Sequence, residues 1–236
     1  MLTMTRSNEM EPASHRVELF RGRQTRAGSL ETCLAAGTIR RLDPREHVCH
    51  EGDRKLHVYR VETGAVRLYK TMADGRRQIL DFAYPGDIIG LGAASTHVFS
   101  AQAMGPTRLK CLPVGALDHV ARQDPEFGLK LYEAVSRELL AARDLLLTVG
   151  QRNATERVAA FLIALSRRHE RNGEDKRTIV LPMTRADIAD FLSLTIETVS
   201  RTFTKLRAHG LIDLEQSTRV TVLDLAALEK IAEGDA

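Results

Sequence analysis

An α+β protein is what this sequence predicts: an N-terminal antiparallel β jelly-roll, one long helix, and a C-terminal winged helix-turn-helix. Three observations predict it. From Leu30 to Leu112, short apolar runs recur at even spacing with turn residues between them, the pattern of an antiparallel barrel or jelly roll. From Phe127 onward no glycine follows Gly128 until Gly150, and apolar residues there recur with a helical period. Met183–Ile212 reads as two capped helices joined by a tight turn. The chain accordingly divides at 1–28, 29–115, 116–150 and 151–236.

Residues 1–28 are polar and without sustained periodicity, which suggests a loose arm with at most a short helix around His15–Phe20. Strands are then expected at Thr38–Leu42, His57–Glu62, Ala65–Met72, Arg77–Ala83, Ala101–Met104 and Thr107–Pro113. Gly64 and Asp74–Gly75 provide hairpin turns, and Tyr84–Pro85–Gly86–Asp87 provides another.

Leu117 to about Val149 is helical, with Asp124–Pro125 opening its main helix. Tyr132, Val135, Leu139, Ala142, Leu146 and Val149 follow one another at spacings of 3, 4, 3, 4, 3, the a/d seam of a short coiled coil. Leu131, Leu140, Leu145 and Leu147 lie off that seam and could pack on the chain's own barrel. One stripe meeting the barrel and the other a second copy satisfies both patterns. A homodimer is the expectation, with no added cofactor needed for association.

Val158, Phe161, Leu162 and Leu165 form the buried face of the next helix, and Arg167–Arg168 its solvated end. Thr178–Leu181 is a strand, and Leu211–Leu214 with Arg219–Leu223 form the wing. Between them, Thr184 and Asp187 make a capping box ahead of Ile188, Ala189, Phe191 and Leu192. Thr195 caps a second helix with Val199, Phe203 and Leu206 inward, ended by Gly210.

Glu197, Ser200 and Arg201 fall between those core positions at i, i+3 and i+4, on one outward face. A helix-turn-helix presents that part of its second helix to base edges in the major groove. Arginine suits the O6/N7 edge of guanine, and a carboxylate can accept from cytosine N4. The bland alternative is an exposed Glu197–Arg201 ion pair worth about 0.3–0.5 kcal/mol. Thr184, Arg185, Thr195, Lys205 and Arg219 are candidates for phosphate contact, which fixes register and not sequence. For Lys205 and Arg219, plain solvation is an equally good account.

These residues carry a resemblance. TRADIADFLSLTIETVSRTFTKLRAHGLI is similar to the helix-turn-helix of the Crp/Fnr superfamily of bacterial transcription regulators, and E-x-x-S-R at Glu197, Ser200 and Arg201 resembles its Fnr and FixK branch. The stretch GDR…VYRVETGAVRLYK…ADGRRQILDFAYPGDIIGL resembles the cyclic-nucleotide-binding-type, sensor-like domain of the same superfamily. The resemblance implies double-stranded DNA as partner, through an inverted repeat of the form TTGAT-N4-ATCAA. RNA polymerase contact, activation, and genes of microaerobic respiration or nitrogen fixation are implied with it.

Two family ligands are not expected. Where cAMP-binding relatives place the phosphate-clamping arginine, this chain has Phe99, which offers no bidentate donors. An iron–sulfur cluster needs about four thiolates, and Cys33, Cys49 and Cys111 supply three. Cys49, flanked by His47 and His50 and followed by His57, matches no zinc spacing, so no cofactor and no metal site is expected. A second reading leaves the barrel a haem or another small effector, with His47, His50, His57 and His97 as the places to look.

The 236 residues carry a net charge of +3 and a pI near 8.9, compatible with a nucleic-acid partner. Residues 151–236 hold thirteen Lys/Arg against thirteen Asp/Glu, so binding must rest on placed cations and not on bulk charge. No membrane-length apolar run and no leader is seen, and the odd, scattered cysteines argue against a disulfide framework. The cytoplasm is the expected compartment. No nucleophile–base motif, Walker loop or G-x-S-x-G is present, so an enzyme is not expected.

Overall fold

The structure is a computed structural model and describes residues 37–216 and 218–234. The arm at 1–28, the helix expected near His15–Phe20, and Cys33 lie outside the described residues.

Eight strands form the N-terminal domain: β1 (Thr38–Leu42), β2 (His47–Cys49), β3 (His57–Thr63), β4 (Val66–Thr71), β5 (Arg77–Ala83), β6 (Ile88–Ile89), β7 (Ser100–Ala103) and β8 (Thr107–Pro113). They make two antiparallel sheets, ordered β1-β8-β3-β6 and β2-β7-β4-β5, which is a jelly roll. Alternation along β4 and β7 sends Val66, Leu68, Ala101 and Ala103 into the core between the sheets, where they meet Leu42, Val61 and Leu109. Gly64 turns β3 into β4 at φ +85, where a Cβ would lie 2.6 Å from the Pro106 carbonyl oxygen, so only glycine fits. The short β2 and β6 escaped the sequence reading because two or three residues carry no period.

Two helices follow, α1 (Val114–Gln123) and α2 (Pro125–Gln151). Asp124 caps α2 by accepting from the Glu126 and Phe127 amides, and Pro125 begins it as the sequence indicated. Phe127 joins Val58, Leu112 and Leu117 in a small cluster at the end of the barrel, with Leu131 partly buried against it. Beyond that point the expectation of a second stripe lying on the barrel holds only in part, since Leu145 is half-buried. Leu140 and Leu147 are 57% and 60% exposed, on a side of the helix that its own chain does not cover among the described residues.

The C-terminal domain comprises α3 (Ala154–Arg171), β9 (Thr178–Val180), α4 (Arg185–Leu192), α5 (Ile196–Ala208), β10 (Ile212–Glu215), β11 (Arg219–Val222) and α6 (Leu225–Glu233). Val158, Leu162, Ile188, Leu192, Val199, Phe203 and Leu206 form its core, with the β10-β11-β9 sheet behind them. The sequence reading lacked α6, which packs on α3 and buries Leu228 completely. Among the described residues no helix is long and apolar enough to cross a membrane.

The two domains meet through α4. Phe82 of β5, Phe161 of α3 and Phe191 of α4 come together with ring centroids 5.2–6.4 Å apart. Beside them Arg67 Nη1 and Arg77 Nη2 donate to Asp187 Oδ1 at 2.7 and 2.9 Å. Arg77 also binds Asp190, and Gln78 donates to the Asp190 carbonyl oxygen. Arg168, expected to be solvated, instead lies over the Tyr84 ring at 4.5 Å and donates to Asp87 at 2.7 Å. Its position in α3 looked like a helix end only because the barrel's contact with that end has no sequence signature.

Asp187 is only 2% exposed. Burial alone would raise its pKa, but the Thr184 amide and hydroxyl, then Arg67 and Arg77, outweigh burial and hold it below the ordinary value. Its stabilising contribution is therefore complete above about pH 4 and is lost as pH falls through the depressed native value. Asp187→Ala removes one partner of a buried pair and is expected to cost about 3–5 kcal/mol in urea unfolding. A loss under about 1 kcal/mol, the scale of an exposed pair, would show that the joint contributes little.

Candidate nucleic-acid interface

The helix-turn-helix is built by its caps. Thr184 Oγ1 accepts from the Asp187 amide while the Asp187 carboxylate accepts from the Thr184 amide and hydroxyl, which starts α4. Ser193 ends it in the left-handed region at φ 54, an unusual conformation for serine that reverses the chain within three residues. Thr195 Oγ1 accepts from the Thr198 amide at 3.1 Å and starts α5. Gly210, at φ +69, follows its end.

With Val199, Phe203 and Leu206 buried on one side of α5, Glu197, Ser200 and Arg201 are left exposed on the other. No ion pair forms between Glu197 and Arg201 among the described residues, so neither side chain is engaged by the other. The Ser200 carbonyl accepts from Thr204 Oγ1 and its own hydroxyl stays on the open face. This leaves a carboxylate, a hydroxyl and a guanidinium on one face with no covering segment among the described residues, a donor-and-acceptor set fit to meet base edges.

The candidate phosphate contacts fall in different settings. Lys205 is exposed one turn after Arg201, and its side chain pairs with no carboxylate among the described residues. Arg219 stands on the wing strand, 3.9 Å from Glu215 at the limit of an ion pair. Thr195 is exposed, with its hydroxyl shared between the cap and Thr198 Oγ1. Arg185 lies with its guanidinium 3.5 Å from the Phe203 ring centroid, and burial there lowers its pKa. Thr184 spends its hydroxyl on Asp187, beside the barrel arginines Arg67 and Arg77.

Sequence reasoning missed the residues that hold this unit in place. Arg67, Arg77 and Gln78 bind α4 across more than a hundred residues of chain, and Arg157 of α3 donates to the carbonyls at its end. An arginine on an amphipathic strand or helix reads as solvated, and nothing local marks these as different.

Along α2 the seam positions are open. Tyr132 and Leu146 are each 70% exposed, Val135 and Leu139 are exposed with Ala142, and Val149 is half-buried. In the barrel, Phe99 packs against the interior core. His47 Nε2 lies 2.9 Å from the Tyr69 hydroxyl and its ring lies against His50, while His97 is buried beside Tyr59. Burial lowers the pKa of both His47 and His97. His57 lies 6.3 Å from the Tyr59 ring.

Residues 156–231 match the family model of the Crp-like helix-turn-helix domain, and residues 39–124 that of the cyclic nucleotide-binding domain. The nitrogen fixation regulation protein FixK of Bradyrhizobium diazoefficiens is 42% identical over 79% of this chain and 78% of its own length. The transcriptional activatory protein AadR of Rhodopseudomonas palustris is 41% identical over 81% of this chain and 80% of its own. Among solved structures, FixK2 from Bradyrhizobium japonicum superposes with a TM-score of 0.78 at 34% identity, covering 83% of this chain and 96% of that one.

The barrel cysteines are set for packing and not for reaction. Burial pushes the Cys49 thiol up to about 11 and raises Cys111 as well, so both are protonated at neutral pH. Iodoacetamide is expected to spare both in the native protein and to label both in urea, read by peptide mass spectrometry. Rapid native labelling of Cys49 would contradict this.

Proposed function

The chain belongs to the Crp/Fnr family of transcription regulators, and from that premise we propose that it is a homodimeric activator that reads TTGAT-N4-ATCAA-like inverted repeats. The observation that carries the proposal is the open face of α5. Glu197, Ser200 and Arg201 stand exposed and mutually unpaired on a helix whose other face is sealed in the core. Arg201 would read guanine and Glu197 would accept from cytosine, with Ser200 between them. Lys205, Arg219, Thr195, Arg185 and Thr184 would hold phosphates.

The dimer reading is supported by the stripe Tyr132, Val135, Leu139, Ala142, Leu146 and Val149, which this chain leaves largely uncovered. A two-fold axis along it would place two winged helices about 34 Å apart, one duplex turn. In this reading 29–115 is a sensor-like barrel, 116–150 the dimerisation element and 151–236 the DNA-binding domain, working in the cytoplasm. Phe99, packed on the barrel core where a phosphate clamp would stand, supports binding without cAMP. The relatives' names, a nitrogen fixation regulation protein and a transcriptional activatory protein, support activation with nitrogen-fixation genes among the targets, and microaerobic genes and contact with RNA polymerase belong to the same proposal.

The test is titration of the purified protein against TTGAT-N4-ATCAA and a scrambled control across salt, with no effector added. Arg201→Ala is expected to cost about 1–3 kcal/mol on the matched site and to relax the preference at guanine. Equal losses on matched and scrambled DNA would remove Arg201 from base reading. Leu139→Glu places two carboxylates across the seam and is expected to give a monomer by sedimentation equilibrium. A variant that remains dimeric would move the interface elsewhere.

A further inference from the structure

A single arginine links the end of the dimerisation helix to the turn of the helix-turn-helix. Arg157 lies in the first turn of α3, and its Nε donates to the Arg152 carbonyl oxygen at 2.8 Å. Its Nη1 donates to the carbonyl oxygens of Leu192 and Ser193 at 3.1 and 3.3 Å. Arg152 is the residue on which α2 ends: its amide donates to the Thr148 carbonyl oxygen and its Nη1 to Thr148 Oγ1. Leu192 and Ser193 are the last residue of α4 and its left-handed cap. One guanidinium therefore spans the hinge and the turn, and α5 begins three residues later at Ile196.

The physical chemistry favours this placement. The last carbonyls of a helix lack intrahelical partners and carry the negative end of its dipole, so a cation donating to them is stabilised. Among the described residues no carboxylate pairs with Arg157, so its charge is committed to backbone oxygens. Only a guanidinium, with donors on two sides of a rigid plane, can face Arg152 and the α4 end together. A lysine could keep the charge near α4 but would not hold both.

We infer that Arg157 is a positioning residue for operator recognition: it sets the angle between α2 and the helix-turn-helix, and so the spacing of the two recognition helices in the dimer. This rests on the dimeric reading given above. The loss of Arg157 should therefore weaken simultaneous engagement of two half-sites more than contact with one.

The test compares Arg157→Lys and Arg157→Gln with the wild type in the full chain. Binding is measured to the inverted repeat, to the same duplex with one half-site scrambled, and to a repeat with two base pairs added to the spacer. Melting and sedimentation are followed alongside. Both variants are expected to stay dimeric, to hold the single half-site within about twofold, and to lose about tenfold or more on the full repeat. Their preference for the native spacer should fall as well, a change that a purely stabilising role would not produce. Should Arg157→Gln fail to fold, Arg157→Lys decides alone, since it keeps the charge. Equal losses on half and full sites, or full-site binding and spacer preference retained by Arg157→Lys, would overturn the role given to Arg157. A wild type with no preference for the full repeat would overturn the dimeric reading and this inference together.

Discussion

One carboxylate couples the two halves of this molecule. Asp187 Oδ2 completes the capping box that starts α4, while Oδ1 receives Arg67 and Arg77 from the barrel. Forming the first turn of the helix-turn-helix and docking it on β4 and β5 thus draw on the same buried charge. An unpaired carboxylate at that depth would be costly, so the undocked unit must either expose Asp187 or protonate it. The phenyl rings of Phe82, Phe161 and Phe191 add apolar contact to the same joint.

The outward face of α5 follows from that constraint at one remove. Once α4 is fixed, Ser193 in the left-handed region and the Thr195 cap leave α5 a single direction. Burial of Val199, Phe203 and Leu206 then turns Glu197, Ser200 and Arg201 outward by helical geometry alone. Given that direction, none of the three needs a side-chain bond of its own to face outward. Caps and core packing suffice, which leaves the three polar groups exposed.

The long α2 stands apart from this economy. Of its 27 residues only Phe127 and Thr148 are buried, so its folding as drawn leaves a wide apolar stripe in water. An isolated helix of that length with such a stripe gains most from a second copy. The stripe is wider than the seam, because Leu140 and Leu147 are open too.

What the sequence alone determined is local and periodic. Thr184 with Asp187, Asp124 with Pro125, Gly64, Gly75 and the 3-4 spacing of the seam each act within a turn or two of chain. Each can therefore be read without knowing what lies across space. The outward set Glu197, Ser200 and Arg201 was legible for the same reason, since helical phase is a property of neighbours. The two shortest strands and α6 were not, the strands being too short for a period and α6 spanning only nine residues. Arg67, Arg77, Arg157 and Arg168 were illegible in principle. Their partners are carbonyls and carboxylates brought near by folding, and an arginine destined for such a partner is written like one destined for solvent. Tertiary structure alone decided that α4 rests on the barrel and that Arg157 reaches the turn between α4 and α5, because only the folded chain sets those distances.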